Sequence, residues 1–217
     1  MVSYEEVKAN EAVKCYIKAA DESLGALGYT EHSYAHVTNV AERTEYILSE
    51  LGFDKKAVEL AKIAAYLHDI GNLVNRMEHS QSGAVMAFRI LDKMGMEPRD
   101  IATVVTAIGN HDEGTGVPVN EVAAALILAD KTDVRRSRVR NGDFATFDIH
   151  DRVNYSVESS ALKILDGIIT LELKIDTEIS SIMNYFEIFL DRMLLCCKAA
   201  EKLGVSFQLL INGQRFI

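Results

Sequence analysis

Along the first 140 residues the apolar positions recur three and four apart, and glycine or proline separates one run from the next. The first run covers residues 4 to about 27 and closes near Gly28; the second covers 30 or 31 to 51 and stops at Gly52. Asp54 is a natural N-cap for a third helix, because its carboxylate can accept a free amide of the first turn. That helix carries Val58, Ala61, Ala65 and Leu67 on its apolar side, runs to His68 and is ended by Gly71. A fourth spans about 79 to 94, a fifth opens with Pro98 in its first turn and runs to about 110, and a sixth spans 120 to about 138. Near Asn141 the pattern changes. Residues 153 to 164 have strand composition, Asp166-Gly167 is a hairpin signal, and Ile169, Leu171, Leu173 and Ile175 alternate with polar neighbours. Thr177 then caps a long amphipathic helix through Ile182, Met183, Phe186, Leu190 and Leu194 to about 203, after which Val205, Phe207, Leu209 and Ile211 alternate again. The expected fold is mainly α, a helical bundle over 1–145 followed by a small β-β-α-β region over 146–217. That region either covers the bundle or joins two copies, since an exposed sheet edge can pair across a two-fold axis into a homodimer.

Composition narrows the class without naming a chemistry. At 217 residues and 48% hydrophobic positions the chain can bury a core and is not of the disordered type. A formal net charge of −9 excludes a general nucleic-acid coat or an anionic-membrane binder, which need a basic footprint. Cys15, Cys196 and Cys197 form neither a disulfide framework nor a zinc knuckle, which suits a reducing compartment. Together with an acidic N-terminus and no apolar run of membrane-spanning length, this sets a cytoplasmic expectation.

The candidate chemistry lies in AKIAAYLHDIGN, where an aliphatic helix ends on His68-Asp69. A buried carboxylate needs a cation, a donor or water. His36 upstream and His79, His111 and Asp130 downstream supply further imidazole nitrogens and carboxylate oxygens, the donors that divalent iron, manganese, zinc or cobalt take. Ligands spread over several helices and turned inward are how bundles build internal metal sites. Six ligands can hold two ions, with Asp69 bridging a separation of roughly 3.5–4 Å.

These segments, HVTNVA, HDIGN, EHSQSGA, IGNHDEGTG and ALILADKTD, resemble the HD superfamily of metal-dependent phosphohydrolases. The resemblance implies an HD-domain bundle in which His36, His68, Asp69 and Asp130 hold one metal. It assigns His79 and His111 to a second metal, as in the dinuclear branch, with Asp69 as the bridge. Within the family the chain is most similar to bacterial dinuclear enzymes that cleave dinucleoside polyphosphates and related nucleotides. It departs from cyclic-dinucleotide phosphodiesterases: there is no GYP motif, and Asn72 stands where those enzymes have Lys after HDIG. The reaction so implied is attack of a metal-bound hydroxide on phosphorus, with Asp69 orienting the nucleophile and a histidine, His68 among the candidates, protonating the leaving oxygen.

The basic stretch KTDVRRSRVR follows Asp130 directly. Arginine forks bind phosphate bidentately, and helical spacing puts Arg135 and Arg138 on one face with Lys131 a turn before them. Lys131, Arg135, Arg138 and His32 are therefore the expected substrate contacts. His32 and His36 lack the glutamate of a zincin HExxH pair, so that motif is rejected. Asp112 and Glu113 read as a solvated lip, His150 as a linker residue, Arg76 as a solvated loop residue with a phosphate contact as the alternative, and Asp133 as either a support for a ligand or an arginine partner. Two alternatives stay open. HD-superfamily di-iron oxygenases use the same H…HD…H…H…D ligand set, and a non-catalytic signalling module could keep the metal for structure alone.

Overall fold

The computed structural model describes residues 2–217 and contains nine α-helices and a four-stranded sheet. The helices are α1 (Tyr4–Ala9), α2 (Glu11–Ala26), α3 (Tyr34–Glu50), α4 (Lys55–Leu67), α5 (His79–Lys93), α6 (Pro98–Gly109), α7 (Glu121–Lys131), α8 (Ile149–Ser156) and α9 (Ile182–Lys202). The strands are β1 (Val157–Leu165), β2 (Ile168–Ile175), β3 (Ser206–Ile211) and β4 (Gln214–Arg215). Their order follows the chain, with β1 and β4 antiparallel to their neighbours and β2 parallel to β3 through the α9 crossover.

Helix α7 is the axis of the molecule. Every residue from Val122 to Ala129 is buried, the signature of a helix that is apolar on all sides because others surround it. Helices α3, α4 and α6 pack against it, and α9 closes the remaining side. The apolar core continues without a break from α1–α7 into Val153, the inner face of the sheet (Ile169, Leu171, Leu173, Leu209, Ile211) and α9. Among the described residues no helix is long and apolar enough to cross a membrane, and the three cysteines are free.

Several expected boundaries shift for local reasons. The first helix breaks at Asn10, whose backbone is extended and whose side chain accepts from Ala12 and Val13, so it caps α2 rather than continuing α1. Helix α7 ends at Lys131 instead of near 138. The Thr132 hydroxyl donates to Leu128 O, and the chain leaves in a loop with a 3-10 turn at Arg136–Arg138. Residues 153 to 156 belong to α8, capped by Asp148, and the strand begins at Val157. Thr177 lies in a turn before α9, whose cap is Ser181. The tail gains β4 because Asn212 and Gly213 both adopt positive φ, the two-residue hairpin conformation that Asp166-Gly167 also takes.

Candidate metal centre

Each histidine of the set sits where a helix begins, ends or faces inward. His68 is the C-cap of α4, and Asp69 leads into the 3-10 turn Ile70–Leu73. This turn lies against the start of α5: a Cβ on Gly71 would overlap the His79 carbonyl and stand 2.5 Å from Gly83 N. Glycine at 71 therefore lets the HD turn and His79 approach each other backbone to backbone. His36 projects from α3, His79 opens α5, His111 follows α6 and Asp130 stands in the last turn of α7.

The proximal ring nitrogens are all committed. His68 Nδ1 donates to Ala65 O at 2.7 Å, His111 Nδ1 to Ile108 O at 2.6 Å and His79 Nδ1 to Arg76 O at 3.1 Å. His36 Nδ1 donates to Asp133 Oδ2 at 2.8 Å, and His32 Nδ1 to Thr30 O at 2.7 Å. A proton held on Nδ1 leaves the Nε2 lone pair free, and those Nε2 atoms converge. His79 and His111 bring theirs within 3.2 Å of each other. His36 Nε2 lies 3.5 Å from Asp69 Oδ2 and 3.3 Å from Asp130 Oδ1; His68 Nε2 lies 3.2 and 3.7 Å from the same oxygens. The other oxygen of Asp69, Oδ1, is 3.4 Å from His79 Nε2 and accepts from Asn72 Nδ2 at 2.9 Å. Asp69 thus turns one oxygen to His36 and His68 and the other to His79.

The donor set fits a divalent cation. His68 Nε2 is buried and aligned for a hydrogen bond with no group in the protein, although two carboxylates flank it. Two triads, His36-His68-Asp130 and His68-Asp69-His111, each offer ligand atoms within 4.8 Å of one another. The charge balance agrees. Burial would raise the Asp69 and Asp130 carboxyls, but His68 and other histidines hold Asp69 well below the carboxylate range, and Lys131 with His36 and His68 does the same for Asp130. Burial drives His111 and His32 well below the usual histidine range. It also works against a charged His68, yet Asp69 and Asp130 win and raise that group to about 10.

Around this cluster lies a polar cavity of ≈ 20 Å³ that four basic side chains help to line, Arg76, Lys131, Arg138 and Arg192, with His32 beside them. Lys131 Nζ is 2.8 Å from Asp130 Oδ2 and 2.7 Å from Glu113 Oε2. Glu113 also accepts from Arg192 Nε at 2.8 Å, so it joins α7 to α9. Arg138 donates Nε to Glu31 O and Nη1 to Asp133 O, both backbone acceptors, which leaves Nη2 for a ligand. Arg76 reaches His79 Nε2 at 3.4 Å.

Of the four expected substrate contacts, Lys131, Arg138 and His32 line this cavity and Arg135 does not. With α7 ending at Lys131, the helical pairing of Arg135 with Arg138 is lost. Arg135 has an extended backbone and spans Asp133 and Glu31 on the outer side, at 3.2 and 3.1 Å. Glu113 is a half-buried cross-link rather than a solvated lip, whereas Asp112 stands at the edge, 4.0 Å from His79. Asp133 is fully buried and supports His36 while pairing with arginines, so both expected roles coincide. Arg76 faces the site rather than only solvent. Arg192 had no sequence signal beyond a basic residue within the apolar side of α9, between Phe189 and Met193.

Residues 33–135 match the family model described as HD domain. The chain is 30% identical to Uncharacterized protein MJ1020 of Methanocaldococcus jannaschii over 184 residues, 74% of this chain and 70% of that protein. It is also similar to the crystal structure of a predicted HD superfamily hydrolase from an uncultured Thermotogales bacterium. That match has 25% identity and a TM-score of 0.46, covering 57% of this chain and 67% of the other.

Proposed function

Since the chain belongs to the HD-domain family, we propose that it is a dinuclear metal-dependent phosphohydrolase acting on a small phosphoester or phosphoanhydride, in particular a nucleotide. The observation that carries this reading is the division of Asp69 between two groups of Nε2 atoms, Oδ2 toward His36 and His68 and Oδ1 toward His79. His36, His68, Asp69 and Asp130 would hold one ion, and Asp69, His79 and His111 the other. Such ions, when bound, lower the pKa of a water from about 15.7 toward about 7 and neutralise phosphoryl charge.

The chain's own part is orientation and charge. Asn72 orients Asp69, donating to both its side chain and its backbone carbonyl at 2.9 Å, which favours the carboxylate setting that faces both histidine groups. Burial opposes the charge on Lys131, but Asp130 and Glu113 keep it ammonium. It joins Arg76, Arg138 and Arg192 as donors toward a phosphoryl group. His68, with Nδ1 on Ala65 and Nε2 facing two carboxylates, suits a ligand. His32 lines the same cavity with Nδ1–H on Thr30 O, so its Nε2 lone pair is the ring atom placed to accept a hydrogen bond from a donor in that cavity.

The cationic rim is what favours phosphoryl transfer over oxygenase chemistry on the same ligands. The test is metal analysis of anaerobically purified protein, followed by nucleotides and phosphoesters scored for phosphate release. Two equivalents of transition metal and phosphate release are expected; oxygen consumption without phosphate release would overturn the hydrolase reading.

A further inference from the structure

A second cavity, ≈ 340 Å³, adjoins the metal centre and shares four of its walls, His32, Arg76, Arg138 and Arg192. That volume lies within the range of small-molecule sites, about 300–1,000 Å³. Its far walls differ in kind. Asp148, Asp151 and Asn154 come from α8 and its cap, beyond the segment 33–135 that matches the HD domain. Leu27, Tyr29 and Phe189 supply apolar surface between the two ends. The cavity therefore differs between its ends, with guanidinium groups at the metal end and, beside His150, the acceptor oxygens of Asp148, Asp151 and Asn154 at the other.

The geometry points to a substrate pocket in which the phosphoryl group lies at the arginine end and a neutral, donor-rich organic group, as in a nucleoside or sugar phosphate, lies against Asp148, Asp151 and Asn154. This assignment rests on the phosphohydrolase reading above. Carboxylates accept but do not donate at neutral pH, so they select hydroxyl or amino groups. A second phosphate at that end would meet two carboxylates and be repelled. Asn154 Nδ2 is engaged by His150 O at 2.9 Å, which orients the amide and leaves Oδ1 as its acceptor. Burial, and then the neighbouring Asp148, raise the Asp151 carboxyl against the opposing pull of Asn141 and His150. Tyr29, with the Arg76 guanidinium 5.8 Å over its ring, adds aromatic surface to the wall between the two ends.

The test is calorimetric titration of the metal-loaded protein with a nucleoside 5′-phosphonate and with benzylphosphonate, neither of which the proposed reaction can cleave. A site whose far wall presents acceptors should prefer the nucleoside ligand by about tenfold or more, because benzylphosphonate leaves the α8 acceptors unpaired. Asp151→Asn should reduce that preference at least about fivefold, and Asn154→Leu provides an independent second variant. Equal affinity for the two ligands in the wild type, or a preference that both variants retain, would overturn the pocket. Phosphate release from a nucleoside monophosphate and from p-nitrophenyl phosphate is followed in parallel. Release from both without a binding preference overturns the pocket and spares the hydrolase; a preference that Asp151→Asn removes, with oxygen consumption and no phosphate release from any nucleotide or phosphoester tested, supports the pocket and sinks the hydrolase.

Discussion

At the scale of single residues, the centre depends on what holds each donor in place as much as on the donors themselves. Asp69 turns one oxygen toward His36 and the other toward His79. Asp69→Ala should lower metal content and cut phosphate release at least about 100-fold, checked by elemental analysis and a phosphate assay on the same sample. Asp133 never reaches the cavity, yet it fixes His36 through Nδ1 and gathers Arg43, Arg135 and Arg138. Asp133→Asn should weaken metal binding by about 10- to 100-fold in a chelator competition, the usual cost of losing a support behind a ligating histidine. The six donors were legible in the sequence because histidine and aspartate at the ends of aliphatic runs are costly unless something satisfies them. Asp133 was legible only as an ambiguity. Nothing local says that its carboxylate meets His36, far away in the chain.

At the scale of elements, the site is a set of helix ends brought to one point. The HD turn lies on α5 so closely that Gly71 has no room for a side chain. Gly71→Ala should destabilise the fold by about 3 kcal/mol, since the clash is with backbone that cannot rotate aside, and a denaturant midpoint will read it. Helix α7 explains the main misplacement. Its apolar run and the basic tail after it read as one helix, but Thr132 back-bonds to Leu128 and the chain turns away. Arg138 then enters the cavity from a 3-10 turn while Arg135 stays outside, reversing the pairing that helical spacing implies. Strand alternation in β2 and β3 was legible because one face is buried under α9 and the other is not. The short α8 was hidden, because Val153 and Tyr155 alternate like a strand while Asp148 caps a helix.

For the whole molecule, the question is how the C-terminal region and the bundle act as one. Glu113 answers part of it, bonding Lys131 beside Asp130 and Arg192 on α9. Burial would raise the Glu113 carboxyl, yet Lys131 and Arg192 hold it well below its ordinary 4.5. A depressed folded-state pKa means that this stabilisation is complete above about pH 4.5 and is lost as the pH falls below it. In metal-free protein Glu113→Gln should therefore cost about 2 kcal/mol near pH 7, less than a fully buried pair because the side chain is a quarter exposed. The gap to wild type should narrow as the pH drops toward 3, as urea denaturation across that range will show. Metal should stabilise the entire fold because only the folded chain assembles the donors: at 100-fold excess over Kd the gain is about 2.7 kcal/mol, seen as a rise in Tm that a chelator reverses. What the sequence determined by itself was most of the helical order, the alternating strands and the candidate donors, because each is written in local residue patterns. Which oxygen of Asp69 faces which histidine, that Arg192 joins the site while Arg135 does not, and that α8 walls a second cavity were decided only by packing. Those contacts join residues distant in the chain, and their positions follow from how α3, α4, α6 and α9 settle around the buried length of α7.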